Sequence, residues 1–263
     1  MRLSLRLHPA RHTFLASVLL CALAAAPAMW PVAAHAATVQ GSGTAAAETR
    51  TVAEFQAIAL SGGMDLVVRQ GATPSVQVQA DDNLLPLLET AVEPGSKGAT
   101  LQVRWKREAG GWFGGGSHVQ PRTKVVVQVV VPRLTALSTA GAGDTTLETF
   151  STPALQVSIS GSGDTRLQGL SADELGVRIS GSGTVTGQGT AGRTTVSIAG
   201  SGDVKLTEMR SDEVKVSIAG SGDAAVNAQK TLSVSIAGSG DVVYVGNAEV
   251  KTSVAGSGSV RKK

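Results

Sequence analysis

The chain has 263 residues, 42% hydrophobic but only 3% aromatic, with 32 glycines and a formal net charge of +3. Arg2, Arg6 and Arg11 lie in the first 36 residues without a single acid, so the remainder balances 20 basic against 20 acidic side chains and offers nucleic acid no attraction by net charge. Cys21, His8, His12 and His35 fall in the same segment and leave His118 as the one later histidine, which excludes thiol nucleophiles, disulfides and His–Cys zinc sites beyond residue 36.

Residues 1–36 read as a secretory signal peptide. A basic start precedes the apolar run from Phe14 to Ala26, and Ala34-His35-Ala36 supplies the small-residue cleavage pattern. No transmembrane segment is expected after cleavage. Residues 37–51 lack periodicity and are expected to form a flexible linker. In "IALSGGMDLVV", Ile58, Leu60, Gly62, Met64, Leu66 and Val68 alternate at the period of a strand, with Asp65 three places after Gly62. Residues 52–134 are read as this divergent turn of chain plus an irregular insertion. The insertion holds strands at Ser75–Ala80, Thr100–Lys106 and Thr123–Val131, a short helical turn after "DDNLLPLLET", and the glycine-rich loop "REAGGWFGGGSHVQPR".

From residue 135 to 263 one phrase recurs: "ISGSGD" at Ile159, then "ISGSGT", three copies of "IAGSGD" and "VAGSGS". Its first glycines are Gly141, Gly161, Gly181, Gly200, Gly220, Gly238 and Gly256, at steps of 18 to 20 residues. A fixed period of this size signals stacked supersecondary units. Within each unit the apolar residues alternate, as in Leu155, Val157 and Ile159 or Val214, Val216 and Ile218. The alternation runs through the glycines, which places Gly143, Gly163, Gly183, Gly202, Gly222, Gly240 and Gly258 with the inward residues too. Glycine at such a place suits a corner with no room for an inward side chain and with left-handed backbone angles. On the opposite parity, Ser and Ala recur in columns, for example Ser217, Ser235 and Ser253, or Ala219, Ala237 and Ala255. Strands stacked about 4.8 Å apart would turn these columns into a smooth outer face. The predicted fold is an all-β, single-stranded parallel β-helix, or β-solenoid, with coils of about 18–20 residues and one continuous domain over 52–260.

The ordered combination "FQAIALSGGMDLVVRQGATPSVQVQADDNLL", "LQV", "VVVPRLTALSTAGAGD" and the GSGD units resembles the bacterial putative auto-transporter adhesin, head GIN domain family, from Val52 to Val260. The resemblance implies an exported right-handed β-helix, in the periplasm or on the outer cell surface. It brings no catalytic residue and no cofactor. Beyond its repeats the chain shows no barrel-forming strands, so self-export through its own barrel is not expected.

Asp144, Asp164, Asp203, Asp223 and Asp241, with Asp65, form a column that Thr184 and Ser259 interrupt. Carboxylates about 4.8 Å apart repel by roughly 1 kcal/mol in water. Backbone N–H donors at the corner would offset this, as in Asx-turns, and a bound calcium ion is the alternative. Trp112 and Phe113 in the glycine-rich loop are a candidate binding tip for a cell-surface glycan or protein. The Ser/Ala face suits a homo-oligomer. The leading expectation is a structural or adhesion-like module without enzymatic activity, and the rival is a polysaccharide hydrolase or lyase, which would need converging carboxylates in a groove.

Overall fold

In a computed structural model, residues 38–95, 98–106 and 118–263 are described. From Ala57 onward, apart from an insertion between residues 71 and 134, the chain winds as a parallel β-solenoid. The strands are β1 (Thr38–Gln40), β2 (Ala45–Arg50), β3 (Ala57–Ser61), β4 (Asp65–Gln70), β5 (Ser75–Asp81), β6 (Leu88–Gly95) and β7 (Gly98–Trp105). They continue with β8 (His118–Gln120), β9 (Val126–Val131), β10 (Ala136–Gly141), β11 (Thr145–Leu147), β12 (Phe150–Gly161), β13 (Thr165–Gly181) and β14 (Thr184–Gly200). The last are β15 (Asp203–Gly220), β16 (Ala224–Gly238), β17 (Val242–Val245), β18 (Glu249–Gly256) and β19 (Val260–Lys262).

Each recurring phrase stacks on its own copy. Gly141 pairs with Gly161, Gly161 with Gly181, Gly181 with Gly200, Gly200 with Gly220, Gly220 with Gly238, and Gly238 with Gly256. The isoleucines therefore form a second in-register column, in which Ile159, Ile179, Ile198, Ile218 and Ile236 are all buried. Differences in coil length are absorbed elsewhere: the pairing shifts at Gln168/Leu170, Thr186/Gln188, Leu206/Arg210 and Ser211/Glu213. Two buried hydroxyls, Thr194 and Ser211, satisfy each other inside the coil at 2.7 Å.

The coil at β3 and β4 stacks directly on β10 and β11, although more than sixty residues separate them in sequence. The intervening insertion folds over the other side of that coil. There β7 runs parallel to β3 and β9 parallel to β4, and antiparallel strands follow: β6 against β7, β5 against β9, and β2 against β5. Leu84, Leu88, Leu101, Val103, Val127 and Val129 are buried beneath this cap. At the opposite end, β18 and β19 pair only toward β16 and β17 among the described residues, and Val254 is 42% exposed.

Two expectations need correction. The stretch expected as a flexible linker contains β1, which pairs with β8, and β2, which pairs with β5. Partners distant in sequence impose this extended structure on segments with no periodicity of their own. The second is β6, absent from the sequence reading, which forms a hairpin with β7 after the 3-10 turn at Leu85–Leu87. The signal peptide lies outside the described residues.

Candidate functional site

The stacked corners are the most regular part of the surface. The first glycine of every pair has positive φ, 133° at Gly161 and 131° at Gly220, angles at which any side chain is strained. A Cβ there would not point into the coil. At Gly161 it would overlap the carbonyl oxygen of Gly141, and at Gly163 that of Gly143, both on the preceding coil. The second glycines are crowded from the inside as well, since a Cβ would stand 2.6 Å from Ile179 Cγ2 at Gly202 and 2.8 Å from Ile198 Cγ2 at Gly222, so the corner is closed both by core side chains and by the neighbouring backbone along the stacking direction.

The acidic column lies beside these glycines, and its partners run from coil to coil. The backbone N–H of Asp144 donates to Asp65 Oδ1 at 3.0 Å, that of Asp241 to Asp223 Oδ1 at 2.8 Å, and that of Ser259 to Asp241 Oδ1 at 2.9 Å. Longer bonds of the same kind join Asp164 to Asp144, Thr184 to Asp164 and Asp223 to Asp203. Each carboxylate therefore accepts from the next coil rather than from its own turn. Arg166 reaches both Asp144 and Asp164, while Lys124 pairs with Asp65 and Lys205 with Asp203, which offsets repulsion along the column. The Ser259 hydroxyl and backbone N–H, together with nearby Arg261, hold the Asp241 carboxyl below its ordinary range against the opposing effect of burial.

Among the described residues no group of three or more His, Cys, Asp or Glu side chains is placed to hold a metal ion. With Oδ1 atoms engaged by amides and cations beside the column, calorimetric titration with calcium is expected to give neither heat nor a melting shift. A saturable heat that vanishes in Asp223→Asn would reverse that expectation.

Asp81 was not singled out from the sequence, yet it fastens the cap. It is fully buried and accepts the backbone N–H groups of Gly43 at 2.7 Å, Arg122 at 3.0 Å and Thr123 at 3.1 Å. Burial alone would raise its pKa, but the N–H groups of Thr123, Gly43 and Arg122 outweigh this and leave it lowered. A carboxyl lowered by folding contributes stability present above its unfolded value of about 3.9 and lost as pH falls through the lower folded value. Asp81→Asn is therefore expected to weaken the protein at neutral pH, with the gap from wild type closing in strong acid. Urea unfolding at neutral and acid pH measures both, and an equal gap at the two would contradict the assignment.

The outer Ser/Ala columns are in register and exposed except at the half-buried Ser158 and Ser197, and Arg178 stands between these two and roughens the first column. The proposed tip residues Trp112 and Phe113 lie outside the described residues. A third aromatic, Trp105, lies within them. It ends β7 on the inward parity of Leu101 and Val103, and this placement was the one sequence signal that could have marked it. Half-buried, it lines a cleft of about 730 Å³ with Ser61, Gly62, Glu89, Gln102 and Arg104.

Comparison with known proteins follows the fold. The family model described as putative auto-transporter adhesin, head GIN domain matches residues 54–248. A structure from Parabacteroides distasonis described as a putative lipid binding protein is 26% identical with a TM-score of 0.73, covering 86% of this chain and 99% of its own. A putative adhesin from Bacteroides fragilis is 24% identical with a TM-score of 0.75, covering 86% of this chain and 100% of its own. Another from Parabacteroides merdae is 24% identical with a TM-score of 0.65, covering 87% of this chain and 100% of its own. No curated protein matches the chain. With the family model spanning most of the sequence and the same solenoid in these structures, the chain belongs to the putative auto-transporter adhesin, head GIN domain family.

Proposed function

We propose that this is an exported, non-enzymatic binding module of adhesion type, in the periplasm or on the outer surface, which meets its ligand through its outer faces. The observation that carries this reading is the allocation of side chains. The aliphatic residues of the coils are buried, and the outward columns are short polar or small groups on an in-register, nearly uninterrupted face. Such a face admits close approach by another flat surface, including a second copy of the chain. The acidic column favours binding over hydrolysis, because it repeats one carboxylate per coil, and Asp65, Asp144, Asp164, Asp203, Asp223 and Asp241 each accept a backbone N–H or face a cation. One relative is described as a putative lipid binding protein. In this chain a lipid would have to lie outside the coils, since Val196, Ile198, Val216 and Ile218 fill the interior.

Fractionation of cells producing the full chain, followed by protease treatment of intact cells, tests the reading. The expected result is an envelope-associated protein that the protease removes or that osmotic shock releases. Recovery in the cytosol, or repeated release of reducing ends from polysaccharides by the purified protein, would overturn it.

A further inference from the structure

The column of stacked glycine corners does not end in another glycine. Above Gly141 lies Gly62, and across Gly62 lies the indole of Trp105: a Cβ on Gly62 would stand 3.1 Å from Trp105 Nε1 and 3.2 Å from Cδ1. The last coil of the cap thus closes the corner with an aromatic side chain, which packs against the core on one side and lines the 730 Å³ cleft on the other. The indole N–H has no acceptor among the described residues.

The rest of the cleft is polar, and its charged side chains are paired. Arg104 donates from Nε to Glu89 at 3.0 Å and from Nη2 to Glu93 at 2.9 Å, so two carboxylates hold its guanidinium. This trio carries one net negative charge. Gln102 and Ser61 add groups that both donate and accept. A partly exposed indole beside fixed planar polar side chains matches a sugar ring, whose C–H face lies on an aromatic surface while its hydroxyls find directional partners at the edge. The net negative charge of Arg104, Glu89 and Glu93 selects against uronic acids and other anions. A cleft of 510 Å³ elsewhere in the cap lacks this pairing, since its one aromatic, Phe55, is buried.

The geometry points to the Trp105 cleft as a subsite for a neutral saccharide unit, presented at the corner of the cap. This assignment deepens the binding-module reading and rests on it.

Calorimetric titration of the purified full-length chain with neutral hexasaccharides of glucose, mannose and N-acetylglucosamine, and with trigalacturonate, tests it. At least one neutral probe is expected to bind, with trigalacturonate weaker. Trp105→Ala is expected to weaken binding at least about tenfold, and Trp105→Phe to retain most of it. Because Trp105 also packs on the core, Gln102→Ala supplies an independent variant, expected to weaken binding several-fold with an unchanged melting temperature. The assignment is overturned when none of the neutral probes binds at millimolar concentration, when trigalacturonate binds more tightly, or when Trp105→Ala or Gln102→Ala binds as wild type. A surface-exposed protein that binds no neutral sugar would fail this assignment alone, whereas a cytosolic one that binds through Trp105 would fail only the location.

Discussion

Gly220→Ala is expected to cost about 2–6 kcal/mol of stability, and Gly63→Ala almost nothing. The first part of the cost is local, since φ of 131° belongs to backbone that residues with a side chain occupy at roughly 1–3 kcal/mol. The second comes from the stack. The new Cβ would overlap the carbonyl oxygen of Gly200, and that oxygen accepts the N–H of Ser221 at 2.9 Å, so moving it breaks a bond between coils. Overpacking against backbone adds about 1–3 kcal/mol. The sum approaches the whole stability of many domains, about 5–15 kcal/mol. Gly63 sits in the divergent coil with nothing within 4 Å of a built Cβ and without positive φ, so its substitution isolates the general effect of losing a glycine. Urea unfolding of the two variants decides the matter. A Gly220→Ala protein within about 1 kcal/mol of wild type would show that the coils separate readily and that the corner geometry does little to hold them.

Phe150→Ala is expected to be the most damaging truncation of a core side chain. Phe150 is 1% exposed and stands first among the largest buried side chains, in register with Leu170 on the next coil. Removing a buried ring costs about 3–5 kcal/mol through lost burial and the cavity left behind. For a domain of this size that corresponds to roughly 6–20 °C in melting temperature. Val254→Ala is the exposed control: an apolar side chain on the last coil, 42% exposed, where truncation is expected to change stability by about 0.5 kcal/mol or less. Comparable losses at the two sites would mean that the interior is looser than the buried column implies.

The stack was legible because its two periods are independent and agree. Alternation by twos identifies strands, and recurrence every 18–20 residues identifies coils, so Ile159 and Ile218 were read as inward and both are buried. The direction in which the corner glycines would carry a side chain was not legible. Parity suggested the interior, which agrees with the isoleucine contacts of the second glycines, but at the first glycines positive φ turns the Cβ toward the adjacent coil. For the acidic column the sequence suggested backbone N–H partners within the turn, whereas the N–H groups that the carboxylates accept lie on the next coil. Which N–H each accepts depends on stacking, since Asp241 and its partner Ser259 lie 18 residues apart in sequence. The cap was harder. β2 and β6 acquire their form from β5 and β7, and neither carries a hydrophobic alternation that announces it. Trp105 passed as one more strand residue, because its importance comes from lying over Gly62, more than forty positions earlier.

The unequal ends of the stack also govern how the molecule responds to tension. Each coil touches only those beside it, so a pull along the stack passes through every interface in series. The coil at β18 and β19 is paired on one side among the described residues, so fewer bonds hold it than hold a coil paired on both. Every coil peeled away releases roughly 60–70 Å of extended chain, so a stack of this kind is expected to lengthen in steps of one coil under load.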